Sequence, residues 1–307
     1  MSQETQETQE TQEKYNFSDF DGILDFFKSK LNDEDSKKIL AQHIENLIKE
    51  YEFQDNKIIF LYDKTKSIST YHSNEIYTAL KDSTINENLV LILLSDGGSI
   101  EPAYLISKTC KRLTGKKFIV AIPRQAKSAA TLISLGADEI HMGLLSELGP
   151  IDPQFGGLPA LGLSNALEKI AQLSEAYPKS SKMFAKFLIS NVNIRHLGYY
   201  ERINESAMQY AERLLEGKEF AEDQTPYTLA NHFTNHYKDH SFVIDADEAK
   251  GLLGEHIIKE FTKEYEFANK VHEFFNVMDT LYRYFYKKEL RCVGNIETGI
   301  GLNETEE

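Results

Sequence analysis

The sequence predicts an α/β protein whose central sheet is mainly parallel and is covered by helices on both faces. Two segments carry this prediction, because residues 89–95 (LVLILLS) and 117–123 (KFIVAIP) are almost wholly apolar. Strands with one wet face alternate between apolar and polar residues, whereas continuously apolar strands are typical of a sheet buried on both faces. Helical patterns separate the strands, which predicts right-handed βαβ units.

Further strands and helices continue this pattern from residue 57 onward. We predict additional strands at 57–63 and 139–142 and helices near 72–82, 99–113 and 128–137. After Pro153 the apolar spacing becomes helical, with a short β-like piece at 241–244. The helices predicted there are 162–175, 180–192, 204–216, 223–236 and 259–288.

Four parts of the chain follow from these patterns. Residues 1–14 contain a Gln-Glu-Thr tandem repeat, which lacks apolar residues to bury and predicts a disordered tail. Two amphipathic helices are predicted within 15–56, and the α/β domain itself spans 57–258. A C-terminal helical extension occupies 259–307, and we expect its last dozen residues to be loose.

Composition excludes several classes of function. The formal net charge is −14, and no basic stripe that could neutralise nucleic-acid phosphates is visible, so we expect no nucleic-acid partner. The longest apolar run, residues 89–94, is far too short to cross a bilayer, so we expect no stable membrane insertion. With an acidic, polar N-terminus and no signal-peptide pattern, the chain is predicted to be cytoplasmic.

The two cysteines, Cys110 and Cys292, are far apart and lack any C-x-x-C partner. This spacing argues against a disulfide framework and against a structural zinc site. We expect no metal and no cofactor.

Two strand ends carry residues suited to chemistry. Gly97 and Gly98 directly follow the strand at 89–95. A glycine pair lets the backbone take positive φ angles and turn its N–H groups outward, as an oxyanion hole requires. An ordinary tight turn before a helix would use the same residues.

Ser128 stands where the strand at 117–123 is followed by a short loop and an apolar helix. The N–H groups at a helix start favour a developing negative charge, and the neighbouring alanines leave room for a substrate. Serine is also a common helix cap, so this position alone does not distinguish a nucleophile from a cap.

Taken together, these pieces resemble the serine dehydrogenase proteinase family. The resemblance is sharpest over 89–157 (LVLILLSDGGSI, AKSAATLISLGADEI, LGPIDPQFGG) and extends more weakly over 57–258. That family is related to signal peptide peptidase A and to the Clp protease proteolytic subunit. The resemblance implies a Clp/crotonase-like fold of repeated ββα/βαβ units with added N- and C-terminal helices.

The resemblance also implies a serine hydrolase, in particular an ATP-independent serine peptidase acting on a peptide or protein. Its nucleophile would be Ser128, and its oxyanion hole would come from the backbone at Gly97, Gly98 and Ala129. A crotonase-like acyl-transfer enzyme and a catalytically silent scaffold stay open as alternatives.

The base that activates Ser128 is open between two candidates. Asp152 and His240 fall near the positions where the Clp subunit has its histidine and its aspartate, so a triad with permuted roles is conceivable. Lys169 is the nearest downstream lysine, and a desolvated lysine can also act as a base.

The helices at 180–216 and 259–288 carry more apolar and aromatic residues than one face of a monomer readily buries. We therefore expect a homo-oligomer. The alternative is that these helices complete the core of one large domain.

Overall fold

The computed structural model describes residues 15–82, 87–155, 158–191, 194–220 and 223–305. The tail predicted at 1–14 lies outside the described residues. Helices surround a seven-stranded sheet, which confirms the predicted α/β class.

The sheet has the strand order β11-β10-β1-β2-β3-β5-β9. From β1 to β9 the neighbouring strands run parallel, whereas β10 and β11 add to the other edge in antiparallel orientation. Two small sheets, β4–β6 and β7–β8, lie outside it. The strands are β1 (Asn56–Tyr62), β2 (Asn88–Leu94), β3 (Phe118–Ala121), β4 (Gln125–Ala126), β5 (Glu139–His141), β6 (Glu147–Leu148), β7 (Gln154–Phe155), β8 (Leu158–Pro159), β9 (Ile258–Lys259), β10 (Lys288–Gly294) and β11 (Ile300–Glu304).

Helices connect the strands and extend from the sheet, and most lie within a few residues of the predicted segments. A π-helical turn at His232–His236 ends the segment that we predicted as one helix over 223–236. The helices are α1 (Phe20–Lys28), α2 (Asp33–Glu50), α3 (Thr70–Leu80), α4 (Ile100–Leu113), α5 (Ala129–Leu135), α6 (Ala160–Ala176), α7 (Ser181–Asn191), α8 (Ile194–Leu215), α9 (Pro226–Asn231), α10 (Ala246–Leu253), α11 (Lys263–Tyr286) and α12 (Ile296–Gly299).

Two hydrophobic cores, one on each face of the sheet, explain the continuous apolar strands. Successive side chains of β2 point to opposite faces, so Leu91 and Leu93 join one core while Val90 and Ile92 join the other. The first core includes residues of α3, α4, α5 and the second half of α8, and the second includes residues of α1, α2 and α11. Each face is thereby closed to water, as predicted.

The C-terminus differs from the prediction. Within the last dozen residues, which we expected to be loose, Ile300–Glu304 form β11; this strand pairs with β10, and β10 pairs with β1 of the main sheet. Leu290, Cys292 and Ile300 from these strands are buried in the second core. We did not predict these strands because the segment contains glycines at 294, 299 and 301, and glycine-rich stretches usually indicate turns.

Half of the phenylalanine and tyrosine residues of α11 also belong to this core. Phe267, Phe275 and Tyr282 are almost fully buried, and Phe274 is 7% exposed. For these four residues the alternative interpretation, completion of the core, is correct.

Candidate active site

Ser128 forms a sharp turn between the loop after β3 and the start of α5. Its backbone has φ 53° and ψ −118°, and its side chain makes no capping hydrogen bond. A serine with positive φ is strained, and a cap residue would normally be extended and bonded to the helix N–H groups. The backbone conformation therefore argues against the capping role and points to a functional one.

Gly97 gives Ser128 the space that this turn requires. Gly97 has φ +105°, and a Cβ atom there would lie 2.7 Å from the Ser128 Cβ and 2.8 Å from the Lys127 carbonyl oxygen. Any other residue would collide with the loop that carries Ser128. The glycine pair is thus more than a tight turn, because its first member packs directly on the candidate nucleophile.

The N–H groups of this region differ in their hydrogen bonds. Gly97 N–H points to the Ser95 hydroxyl oxygen at 3.2 Å. Within the described part of the chain, the N–H groups of Gly98 and Ala129 have no protein acceptor. Gly98 is exposed and lines the cavity described below, whereas Ala129 is fully buried and is not among the lining residues.

His240 and Asp152 form a hydrogen-bonded pair. The distance from His240 Nδ1 to Asp152 Oδ1 is 2.7 Å, and the two side chains are 28% and 8% exposed. Because a carboxylate can only accept, Nδ1 carries the proton and Nε2 keeps a free lone pair. Gln154 Nε2 donates to the other oxygen of Asp152 at 2.9 Å, which further fixes the carboxylate.

Backbone hydrogen bonds hold the Asp152 and His240 segments beside α5. Leu148 and Ile244 exchange two of them, at 2.9 and 3.1 Å, and Ile151 N–H donates to the Phe233 carbonyl at 2.9 Å. The Thr131 hydroxyl of α5 bonds both the N–H and the carbonyl of Gly149. These contacts connect three distant parts of the sequence at the carboxyl end of the sheet, where α/β proteins form their sites.

A cavity of about 640 Å³ brings the candidate residues together. Ser128, Gly97, Gly98 and His240 all line it. Sequence reasoning missed the loop at 63–67, which follows β1, and Tyr199 and Ile203 of α8, all of which also line the cavity. The loop lies beside the glycine pair because β1 and β2 are neighbouring parallel strands whose carboxyl ends meet at one edge of the sheet.

Lys169, the other candidate base, lies in α6. Its side chain is exposed, and it is not among the residues that line the cavity. The structure thus brings together Ser128, His240, Asp152 and the glycine pair, but not Lys169.

A model of the family described as "ClpP-like SDH-type serine proteinase" matches residues 37–177. The match covers 141 of the 307 residues, which is less than half of the chain. The match includes Gly97, Gly98, Ser128 and Asp152, and it ends before His240.

Two uncharacterized proteins of Methanocaldococcus jannaschii are similar to part of this chain. One is 35% identical over 104 residues and the other 34% identical over 101 residues, which are 34% and 33% of this chain. The matched stretches span only about a third of these relatives, 36% and 34% of their lengths.

Two solved structures of the 1510-N membrane-bound stomatin-specific protease, both of mutant forms, also align with the chain. The form in complex with a substrate peptide has a TM-score of 0.40 and 15% identity, covering 67% of this chain and 76% of its own. The other has a TM-score of 0.41 and 13% identity, covering 82% and 97%. Within the described residues of this chain, every helix is too short or too polar to cross a membrane.

Proposed function

We propose that this chain is a serine peptidase in which Ser128 is the nucleophile, His240 the general base and Asp152 the residue that orients the base. The observation that carries the proposal is the strained turn at Ser128 in a cavity that it shares with His240, whose Nδ1 is held by Asp152. The match between residues 37–177 and the SDH-type serine proteinase family model supports the same chemistry.

The reaction follows from the roles of these groups. Ser128 Oγ attacks the carbonyl carbon of a peptide bond while His240 Nε2 takes the hydroxyl proton. Asp152 stabilises the resulting imidazolium through Nδ1–H. His240 then gives the proton to the leaving amine, and a water molecule, activated by the same histidine, hydrolyses the acyl-serine ester.

The N–H groups of Gly98 and Ala129 are proposed as the oxyanion hole. Neither has a protein acceptor among the described residues, and they flank Ser128 from the glycine loop and from the first residue of α5. Gly97 N–H is engaged by Ser95, so we assign Gly97 the role of making room for Ser128. Fixed main-chain donors stabilise the alkoxide because they need no reorganisation as charge develops.

No step of this chemistry requires a nucleotide, because water and the side chains of Ser128, His240 and Asp152 complete the cycle. We therefore propose ATP-independent hydrolysis of a peptide or protein substrate. Cys110 and Cys292 are buried and free, which suits a reducing compartment, and we propose the cytoplasm.

Labelling with a fluorophosphonate–rhodamine probe tests the nucleophile. We expect the wild type to be labelled and Ser128→Ala to be unlabelled while keeping its melting temperature within a few degrees. Ser18→Ala is the control, because Ser18 is an exposed serine that is not among the residues lining the cavity, and labelling should be unchanged. Equal labelling of wild type and Ser128→Ala would place the nucleophile elsewhere.

An unlabelled, folded wild type would favour the two alternatives, a crotonase-like acyl-transfer enzyme or a silent scaffold. Neither requires a nucleophilic serine. Hydrolysis of fluorescein-labelled casein, lost in Ser128→Ala, would identify the labelled enzyme as a peptidase.

A further inference from the structure

The position of Gly98 depends on Ile68, a fully buried residue of the loop between β1 and α3. Ile68 N–H donates to the Gly97 carbonyl at 2.8 Å, and the Ile68 carbonyl accepts from Ser99 N–H at 2.9 Å. These two bonds hold the backbone on both sides of Gly98. A Cβ atom on Gly98 would lie only 2.3 Å from the Ile68 nitrogen, so the two backbones are in close contact.

Asp63 fixes the chain on the N-terminal side of Ile68. Its side chain is fully buried, and its Oδ1 accepts from the N–H groups of Thr65 at 3.0 Å and Lys66 at 2.9 Å. Burial alone would raise the pKa of Asp63, but the hydrogen bonds from His72, Lys66 and Thr65 hold it below its usual value. The carboxylate is therefore ionised, and it also accepts from the Thr65 hydroxyl at 3.3 Å, while Arg291 Nη1 of β10 lies 3.7 Å from its Oδ2.

His72 fixes the chain on the C-terminal side. It is 1% exposed, and its Nδ1 accepts from Ser69 N–H at 3.2 Å. Since Nδ1 accepts, the ring proton is on Nε2, which faces Asp63 Oδ2 at 3.4 Å. The two buried side chains thus connect the residues before Ile68 to the residue after it.

We propose that Asp63 and His72 are positioning residues for the oxyanion hole. Asp63 belongs to the loop that lines the cavity, but its side chain is fully buried, and His72 is 1% exposed and is not among the lining residues. Neither side chain therefore contacts a substrate. They act through Ile68, whose backbone sets where Gly98 N–H points. This inference rests on the proposed function, since it assumes that Gly98 N–H stabilises the oxyanion formed on attack by Ser128.

A buried charge gives this role a physical reason. An ion in the protein interior costs free energy, and a neutral turn could connect β1 to α3 without it. A carboxylate that accepts from several fixed donors at once, however, leaves the loop one arrangement. A rigid loop is what a catalytic N–H group needs, because a misplaced donor loses most of its effect on the transition state.

The test measures how fast the fluorophosphonate–rhodamine probe labels Ser128 at increasing probe concentration. A fault in the oxyanion hole lowers the maximal labelling rate but leaves the half-saturating concentration nearly unchanged. For His72→Leu we expect a maximal rate about 10- to 100-fold lower, a part of the effect of losing an oxyanion donor. His72→Gln, which can still donate to Asp63, should recover part of the rate.

His272→Leu is the matched control. His272 is also a buried histidine, and among the described residues its side chain has one hydrogen-bond partner, the Tyr62 hydroxyl at 3.0 Å. Tyr62, however, belongs to the core on the other face of the sheet. Its loss should lower stability without changing labelling. Equal loss of rate in His272→Leu and His72→Leu would show a general structural effect and overturn the proposal.

Asp63→Asn provides a second test of the proposal if His72→Leu does not fold. It retains the shape of the side chain but loses the charge, and we expect a maximal rate about 10-fold lower. A folded Asp63→Asn or His72→Leu protein labelled at the wild-type rate contradicts the positioning role alone. An unlabelled wild type contradicts the proposed function as well.

Discussion

Replacing Asp152 by asparagine separates a catalytic pair from an ordinary surface contact. The change keeps the size of the side chain and leaves an oxygen that can accept from His240 Nδ1, at 2.7 Å in the native protein. It removes the negative charge that stabilises the imidazolium. The expected defect is therefore electrostatic, and the fold should be retained.

The magnitude follows from the distance between the two charges. With the charge centres about 4 Å apart and an effective dielectric constant of about 20, the attraction is about 4 kcal/mol. Asp152 is 8% exposed, so solvent screens the pair weakly, although His240 is 28% exposed. A loss of about 4 kcal/mol from the transition state corresponds to a rate about 10³-fold lower.

The assay is the rate of Ser128 labelling by the fluorophosphonate–rhodamine probe, with melting temperature measured in parallel. Asp239→Asn is the control, because Asp239 is an exposed carboxylate next to His240 that bonds only the local Ser241 N–H at 2.7 Å among the described contacts. It should label at the wild-type rate. A folded Asp152→Asn protein that labels within threefold of the wild type would refute the role of Asp152.

Four further predictions follow from the structure. His240→Gln should reduce labelling by at least about 10³-fold while Lys169→Met leaves it unchanged, and the reverse result would make the lysine the base. Gly98→Ala places a Cβ atom against Ile68 and should slow labelling about 100-fold, whereas Gly251→Ala, whose Cβ would meet no neighbour within 4 Å, should label at the wild-type rate. Equal labelling rates in the two variants would place the oxyanion hole elsewhere. Burial, with a smaller effect of Lys270, lowers the pKa of His43 to about 4, so the folded protein resists protonation of this side chain. Melting curves should therefore show stability falling as pH drops from 6.5 to 4, by up to about 3 kcal/mol from this group. A His43→Phe variant with the same pH slope would contradict this. We also propose that α7 pairs with a second copy of the chain, since Met183, Phe187 and Ile189 are 62%, 58% and 83% exposed. Light scattering should show a mass above the 35.1 kDa of the monomer, and Ile189→Glu should weaken the assembly. A monomeric wild type would refute the proposal.

Local patterns in the sequence were sufficient to predict the parallel sheet and the place of Ser128. The apolar runs at 89–95 and 117–123 allow no wet face, so a sheet covered on both sides was the physically consistent arrangement. The glycine pair and the serine each follow a strand, and the carboxyl ends of neighbouring parallel strands meet in space. The C-terminal strands were missed because glycine-rich pairing with β1 depends on contacts more than 200 residues apart.

The sequence by itself determined which residue types stand at the strand ends, because hydrophobic burial and glycine geometry act locally. Only the tertiary structure decided how they combine. His240 reaches Asp152 across 88 residues because Leu148 and Ile244 pair their backbones, and no local pattern encodes that pairing. The positive φ of Ser128, the position of Lys169 outside the cavity and the buried contact of His72 with Asp63 likewise depend on packing between distant segments.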